Sequence, residues 1–386
     1  MAEVKESRPI RKSRLVIFGL LVAFTCFLIL EVGLRIYLAF EAGPGVLLHG
    51  IVPAHEAQGK LLKRRTRAFY EEYTGNYWKY SPNQTKYDVD KKTKELFEIS
   101  INNRGFRGKD FFDTKELGVT RVVTLGASST FGYGNRDDET YPYYLEEILN
   151  SRRHGAGSFE VINLGIPHFL TDQIVSVFLQ EALNLDPDVV TFYEGINDSS
   201  DTKTLKKTLR HVSLVRKLVI PLYQRLVSVK FIVASFKAPK KFSEQEINSH
   251  MDGKSERFLR NLSLIRDECE RRGIVFIVAN QQAKSFLVGE NDIKGITYDE
   301  ELELLRKKLS EESSLDAKEM YLYIHSVLMR DLASWAAANN VPFVDVIGAL
   351  DKDRGVLSSW VHLSPEGNRA VAEILAQEIL KQRNDL

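Results

Sequence analysis

Cysteine is nearly absent: Cys26 and Cys269 are the only two in 386 residues. That scarcity excludes a disulfide-stapled scaffold and any cysteine-rich metal site. Net charge is lacking too, with 53 Lys+Arg against 52 Asp+Glu and a formal balance of +1. There is no compositional bias toward disorder or a fibrous repeat. Hydrophobic residues make up 44%, charged 27% and aromatic 10%, as in ordinary globular chains. No GxxxxGK[ST] or GxGxxG loop cradles a phosphate, and the histidines show no metal-ligand spacing. The expectation is therefore no metal and no nucleotide cofactor. The length suits one large domain with additions, or two domains, and allows a proper core.

What is present begins with a long apolar run. Leu15 to Leu30 is uncharged, and with Glu31 and Arg35 taken as an i,i+4 pair the apolar character continues to Phe40. About 20 helical residues span a hydrocarbon core of roughly 30 Å. Lys5, Arg8, Arg11, Lys12 and Arg14 precede the run, whereas Arg35 is the only Lys or Arg from Glu31 to Gly59. The positive-inside rule then places the N-terminus in the cytoplasm and the remainder outside. A cleaved signal peptide is the competing reading. No A-x-A site follows the run, and Cys26 lies inside it without a lipobox-like sequence. We therefore expect a single-pass anchor in the cell membrane over 15–38, a cytoplasmic tail over 1–14, and an extracytoplasmic (periplasmic or extracellular) remainder. With Cys26 in the bilayer, Cys269 has no disulfide partner.

Residues 39–100 carry Tyr70, Tyr73, Tyr77, Trp78, Tyr80 and Tyr87 and read as a juxtamembrane stalk or small cap. From Arg121 the pattern alternates. Strands are expected at Val122–Leu125, Val161–Leu164, Val189–Tyr193, Ile274–Ala279 and Phe343–Ile347. Helices are expected from Thr140 to Leu149, at Thr171–Leu183, Ser255–Arg272 and Ala317–Asn339, and after Ser364, which caps a last helix with Pro365 in its first turn. Such alternation predicts an α/β fold, a three-layer α/β/α sandwich with a parallel sheet, over 101–386. Sites in such sheets form at the C-terminal ends of the strands.

Four loops fall at that edge. Gly126-Ala127-Ser128-Ser129-Thr130-Phe131-Gly132 follows the first strand and exposes a serine hydroxyl. Asn163-Leu164-Gly165 ends the second, where a glycine lets a backbone N–H approach a ligand. Gly195-Ile196-Asn197-Asp198 ends the third and offers an amide donor. Val361-His362-Leu363-Ser364-Pro365 precedes the last helix. Singly, each reads as well as a plain turn, an Asx-turn or a surface histidine. Together they supply a nucleophile, a base and oxyanion donors, the parts of an acyl-transfer site. His168, close to Gly165, either lines the pocket or is a loop residue.

These four blocks resemble, in order, those of the SGNH or GDSL family of serine hydrolases. The resemblance covers about 99–383 and includes the lead-in Ile101-Asn102-Asn103-Arg104-Gly105-Phe106-Arg107. It implies that Ser128 is the nucleophile and His362 the general base, with the oxyanion held by the Ser128 and Gly165 N–H groups and the Asn197 amide. Two positions depart from the family pattern. Gly-Asp-Ser is Gly126-Ala127-Ser128, a change outside the triad. The triad acid normally lies three residues before the histidine, and here that residue is Ser359. Three readings stay open: a Ser128–His362 dyad with Ser359 or a carbonyl accepting from the imidazole, recruitment of Asp353 or Asp351, or weakened or lost catalysis.

A basic insertion over 199–254 separates Asp198 from the next strand. Lys203 to Lys241 holds eleven Lys or Arg and no acid, and without it the chain carries 42 cations against 52 anions. Aliphatic residues recur there at spacings of three and four, so amphipathic helices broken at Pro221 are expected. They read as a cap over the site, as a surface for an anionic membrane, or as both. Nucleic acid does not fit an extracytoplasmic segment. The resemblance implies hydrolysis of an ester: an O-acetylated envelope glycan, a lipid ester or a small ester. The alternatives are a catalytically silent acyl-glycan or lipid binder or scaffold, and an O-acyltransferase using the same residues.

Overall fold

The computed structural model describes residues 12–42, 72–74, 77–89, 96–153, 157–200, 240–289 and 292–383. The chain divides into two compact units, one of 1–64 with 208–238 and one of 65–207 with 239–386. In the first, helix α1 covers Lys12–Ala42. Its segment Val16–Tyr37 has 22 residues at a mean hydropathy of 2.5, long and apolar enough to cross a membrane. A signal sequence shares those properties. Glu31 and Arg35 pair one turn apart at 2.8 Å, as their spacing requires.

The second unit is built on a parallel sheet. A hairpin, β1 (Gln84–Val89) and β2 (Leu96–Ile101), precedes it. The sheet strands are β3 (Val119–Gly126), β4 (Ser158–Asn163), β5 (Val189–Tyr193), β6 (Val275–Ala279) and β7 (Phe343–Val344), ordered β7-β6-β5-β3-β4. All four pairings are parallel. The chain steps from β3 out to β4, then returns to the other side of β3 for β5. That reversal opens a crevice at the carboxyl ends of β3 and β5, where open α/β sheets place their ligands.

Strand alternation feeds two cores. Val122, Val161, Val189 and Ile277 face helices α3 (Tyr141–Arg152) and α10 (Pro365–Gln382), against Leu145, Leu149, Val371, Leu375 and Ile379. Val123, Leu125, Val190, Phe192 and Val278 face the other way, against α4 (Thr171–Gln180), α7 (Lys254–Arg272) and α9 (Ala317–Ala338), with Phe178, Leu262, Cys269, Leu328 and Leu332. The result is the expected three-layer sandwich. The helix ends carry their own signals. Thr140 Oγ1 accepts from Tyr143 N ahead of α3, Ser364 Oγ accepts from Gly367 N ahead of α10, and Gly273 ends α7 at φ 70°.

Four features differ from, or add to, the expectations. The described part of the tyrosine-rich segment packs into the second unit: Tyr77, Trp78 and Tyr80 are buried in its main core, with Trp78 edge-on to Phe169. The strand expected over Phe343–Ile347 stops at Val344, because Asp345 caps a short helix, Val346–Leu350, by accepting from Gly348 N at 3.0 Å. Helix α8 (Tyr298–Glu312), capped by Thr297, was not foreseen. The expected basic helices lie outside the described residues, apart from Lys240 and Lys241; Lys241–Ser243 pairs antiparallel with Ser314–Asp316.

Candidate active site

The loop 126–132 is shaped by close packing. A Cβ on Gly126 would lie 2.0 Å from Thr130 Oγ1 and 2.5 Å from Tyr193 O, so the chain turns there only without a side chain. Ser128 then opens helix α2 (Ser128–Phe131). Ala127 supplies no side-chain cap, and the first N–H groups of a helix have no acceptor within it. The Ser128 amide therefore remains a donor at the mouth of the turn.

His362 reaches Ser128 from the far end of the chain. Its Nε2 lies 2.9 Å from Ser128 Oγ, and its Nδ1 lies 2.9 Å from Ser359 Oγ. Tyr133 covers the imidazole, with ring centroids 4.8 Å apart. Ser359 Oγ also accepts the backbone N–H of His362 at 3.0 Å and of Val361 at 3.4 Å. A hydroxyl is both donor and acceptor, so this geometry admits two tautomers. With Nδ1–H donating to Ser359, Nε2 is free to accept the Ser128 proton. With Ser359 O–H donating to Nδ1, the proton sits on Nε2 and Ser128 has no base.

The two aspartates considered as replacement acids are held elsewhere. Asp351 Oδ1 accepts from Gln282 Nε2 at 2.9 Å and from Tyr298 N at 3.0 Å. Asp353 Oδ1 accepts from Gly355 N at 2.9 Å. His362 Nδ1 faces Ser359 in their place.

Of the expected oxyanion donors, Asn197 and Gly165 are both partly committed. Asn197 is buried on α5 (Ile196–Ser200), and its Nδ2 donates to Phe169 O at 3.0 Å, leaving a second amide hydrogen. The Gly165 N–H donates to Asn163 Oδ1 at 2.9 Å, while Asn163 Nδ2 donates to Thr130 O. A Gly165 Cβ would stand 2.4 Å from Phe131 N and 2.7 Å from Thr130 C. Glycine here lets the β4 loop lie directly against the nucleophile helix. His168 lies exposed on that loop at φ 69°.

Asp198 does not face the nucleophile. It is fully buried and accepts from Thr171 N at 3.0 Å and Thr171 Oγ1 at 2.8 Å, tying the Asn197 loop to the start of α4. Burial raises its carboxyl to about 6 against the opposing pull of those bonds. Burial pushes the neighbouring Glu194 higher, to about 8. Glu194 Oε1 accepts the Asn197 N–H at 3.0 Å.

The lead-in segment contributes its last residue, Arg107, to which the sequence motif assigned no role. Its guanidinium is buried and donates to Phe131 O, Gly132 O and Asn135 O, and to Asp137. It braces the turn that follows the nucleophile helix. Asn135 Nδ2 in turn donates to Leu363 O, beside His362.

With this geometry in view, comparison with known proteins is direct. Residues 124–293 match the GDSL-like lipase/acylhydrolase family. The match takes in Ser128, Gly165 and Asn197 and stops short of His362. The chain is similar to solved structures at low identity. A lipase/acylhydrolase from Enterococcus faecalis is 17% identical, with 68% of this chain and 96% of that one covered at a TM-score of 0.40. An acetylxylan esterase from Geobacillus stearothermophilus, a catalytic mutant, is 14% identical, with 69% and 96% covered at 0.41. A GDSL-like lipase from Bacteroides thetaiotaomicron VPI-5482 is 16% identical, with 68% and 89% covered at 0.38. No curated protein matches the chain.

Proposed function

We propose that the protein is a serine esterase, tethered to a membrane by α1 with its second unit on the extracytoplasmic side. The observation that carries this reading is the Ser359–His362–Ser128 relay, with 2.9 Å at each step. Ser128 Oγ attacks the ester carbonyl carbon as its proton passes to His362 Nε2. The charge that develops on the carbonyl oxygen is met by the Ser128 N–H and the Asn197 amide, with the Gly165 N–H joining once Asn163 releases it. The tetrahedral adduct collapses, the C–O bond to the leaving group breaks, and His362 returns the proton to the departing alkoxide. Water repeats the sequence on the acyl-serine, giving the free acid and restoring Ser128.

Acylated envelope glycans or lipid esters fit a site held close to a bilayer, with the basic segment 203–241 as a contact to anionic lipid. Transfer of the acyl group to a sugar hydroxyl uses the same steps with a different acceptor. Ser359 favours one reading of another kind, a catalytically silent binder of acylated glycan or lipid. A neutral hydroxyl stabilises the imidazolium less than a carboxylate does.

Treating the full-length protein in detergent micelles with a fluorophosphonate separates them. An adduct mapped to Ser128 and lost in Ser128→Ala and His362→Ala is expected. A folded protein that takes no label, with or without anionic vesicles, overturns the esterase.

A further inference from the structure

The segment after β6, Asn280-Gln281-Gln282-Ala283-Lys284-Ser285, is almost entirely buried and was not marked by any motif. Its residues are fixed in turn. Asn280 Nδ2 donates to Asp345 Oδ1 at 2.7 Å, and Gln282 Nε2 to Ile347 O and to Asp351. Lys284 N donates to Trp360 O at 2.8 Å, and Lys284 Nζ to Leu357 O at 3.0 Å. Ser285 donates to Glu301, itself paired with Arg354 at 2.6 Å. The strap is thus anchored to the β7 end, the His362 loop and α8.

Gln281 turns toward the loops that carry Ser128 and Asn197. Its side chain is fully buried. Its Oε1 accepts the Ile196 N–H at 2.9 Å, next to Asn197, whose own N–H is held by Glu194. Its Nε2 donates to Ser129 Oγ at 3.1 Å, next to Ser128. Ser129 Oγ donates in turn to Val361 O at 3.2 Å, next to His362. A buried amide with both ends engaged cannot turn over without breaking hydrogen bonds on each side. Gln281 and Ser129 together therefore tie the residues beside each of the three expected catalytic groups.

We propose that Gln281 is a positioning residue that, through Ser129, sets Ser128, Asn197 and His362 in mutual register. It touches neither substrate nor the reacting atoms. Ser129 is the second half of the device: a hydroxyl that accepts from one loop and donates to another converts a two-loop contact into a three-loop one. The inference rests on Ser128 being the nucleophile.

The test uses the full-length protein, Gln281→Met, Ser129→Ala and the double variant, each checked for an unchanged near-ultraviolet circular dichroism spectrum. Two rates are read: fluorophosphonate labelling of Ser128, and kcat and KM on p-nitrophenyl acetate. Displacement of reacting groups by about 1 Å costs on the order of 100-fold. Each single variant is expected to lose roughly 10- to 100-fold in labelling and kcat with KM little changed, and the double variant to lose no more than the worse single, because both cut one chain. Labelling at the wild-type rate in the folded variants overturns the proposal, as do losses that multiply in the double variant. Should Gln281→Met fail to fold, Ser129→Ala decides alone, since it removes one oxygen and leaves Gln281 in place; full labelling there overturns the clamp. A wild-type protein that does not label overturns the esterase reading and the clamp together, whereas labelling in wild type and variants alike removes only the clamp.

Discussion

Ser359 Oγ lies 2.9 Å from His362 Nδ1 and accepts that residue's own N–H at 3.0 Å. The tight turn Ser359-Trp360-Val361-His362 therefore presents a hydroxyl where the family resemblance implies a carboxylate. A carboxylate only accepts, so it forces the proton onto Nδ1; a hydroxyl allows either tautomer.

From this, Ser359→Asp is expected to raise turnover on p-nitrophenyl acetate, by about 10- to 1000-fold, within the roughly 10⁴-fold scale set by disabling a triad carboxylate. Ser359→Ala is expected to lower it further below the wild type, since the ring loses its partner. Initial rates across a pH series check both. A slower Ser359→Asp enzyme removes the tautomer argument.

Gly165→Ala is expected to destabilise the protein by about 1–3 kcal/mol, the usual cost of forcing a methyl into a packed site. Its Cβ would enter the backbone at Phe131 and Thr130. Phosphonate labelling of Ser128 should drop at least tenfold even where the protein stays folded. Urea denaturation and labelling kinetics on one sample measure the two effects.

The sheet and its site edge were legible because β3, β5 and β6 are short apolar runs, each closed by small or polar residues. Ser128, Asn197 and His362 were legible through the four blocks in order. Gln281 was not, because a buried glutamine in a loop carries no period and no spacing. Neither was the commitment of Gly165 to Asn163, which depends on a side-chain rotamer. The early end of β7 turned on the Asp345 cap, and alternation of apolar residues past it gave no warning. The core role of Tyr77 and Trp78 came from distant partners such as Phe169.

Glu194 makes stability pH-dependent. Its folded carboxyl sits at about 8 against an ordinary 4.5, so the unfolded chain loses its proton first as pH rises. The contribution is fully present below about 4.5 and is lost as pH climbs toward 8, at about 1.4 kcal/mol per pH unit within that window. His325, lowered by burial to about 3 from 6.5, acts on the other side: its contribution is present above 6.5 and lost as pH falls toward 3. Glu194→Gln is expected to flatten the decline between pH 6.5 and 8 and leave the acid limb in place. Urea midpoints at pH 6.5 and 8 for both proteins check it; parallel declines would refute the assignment.

Arg107→Met is expected to cost about 3–5 kcal/mol, the scale for leaving a buried ionic site with one partner. Three carbonyls and Asp137 lose their donor at once. Arg107→Lys should recover little, because a single ammonium cannot span Phe131, Gly132 and Asn135 together. Thermal unfolding of the three proteins measures this.

The Ser128–His362 bond joins positions 234 residues apart. Ser128, Gly165 and Asn197 all lie in the first 200 residues, and the base arrives only with the final segment, fastened by α10 against α3. During synthesis Ser128 is thus made well before the imidazole it pairs with. A chain cut between Asn197 and His362 carries the serine, the glycine and the asparagine without the imidazole that Ser128 pairs with. In the esterase reading, the pairing of serine and imidazole waits on the docking of α10 against α3.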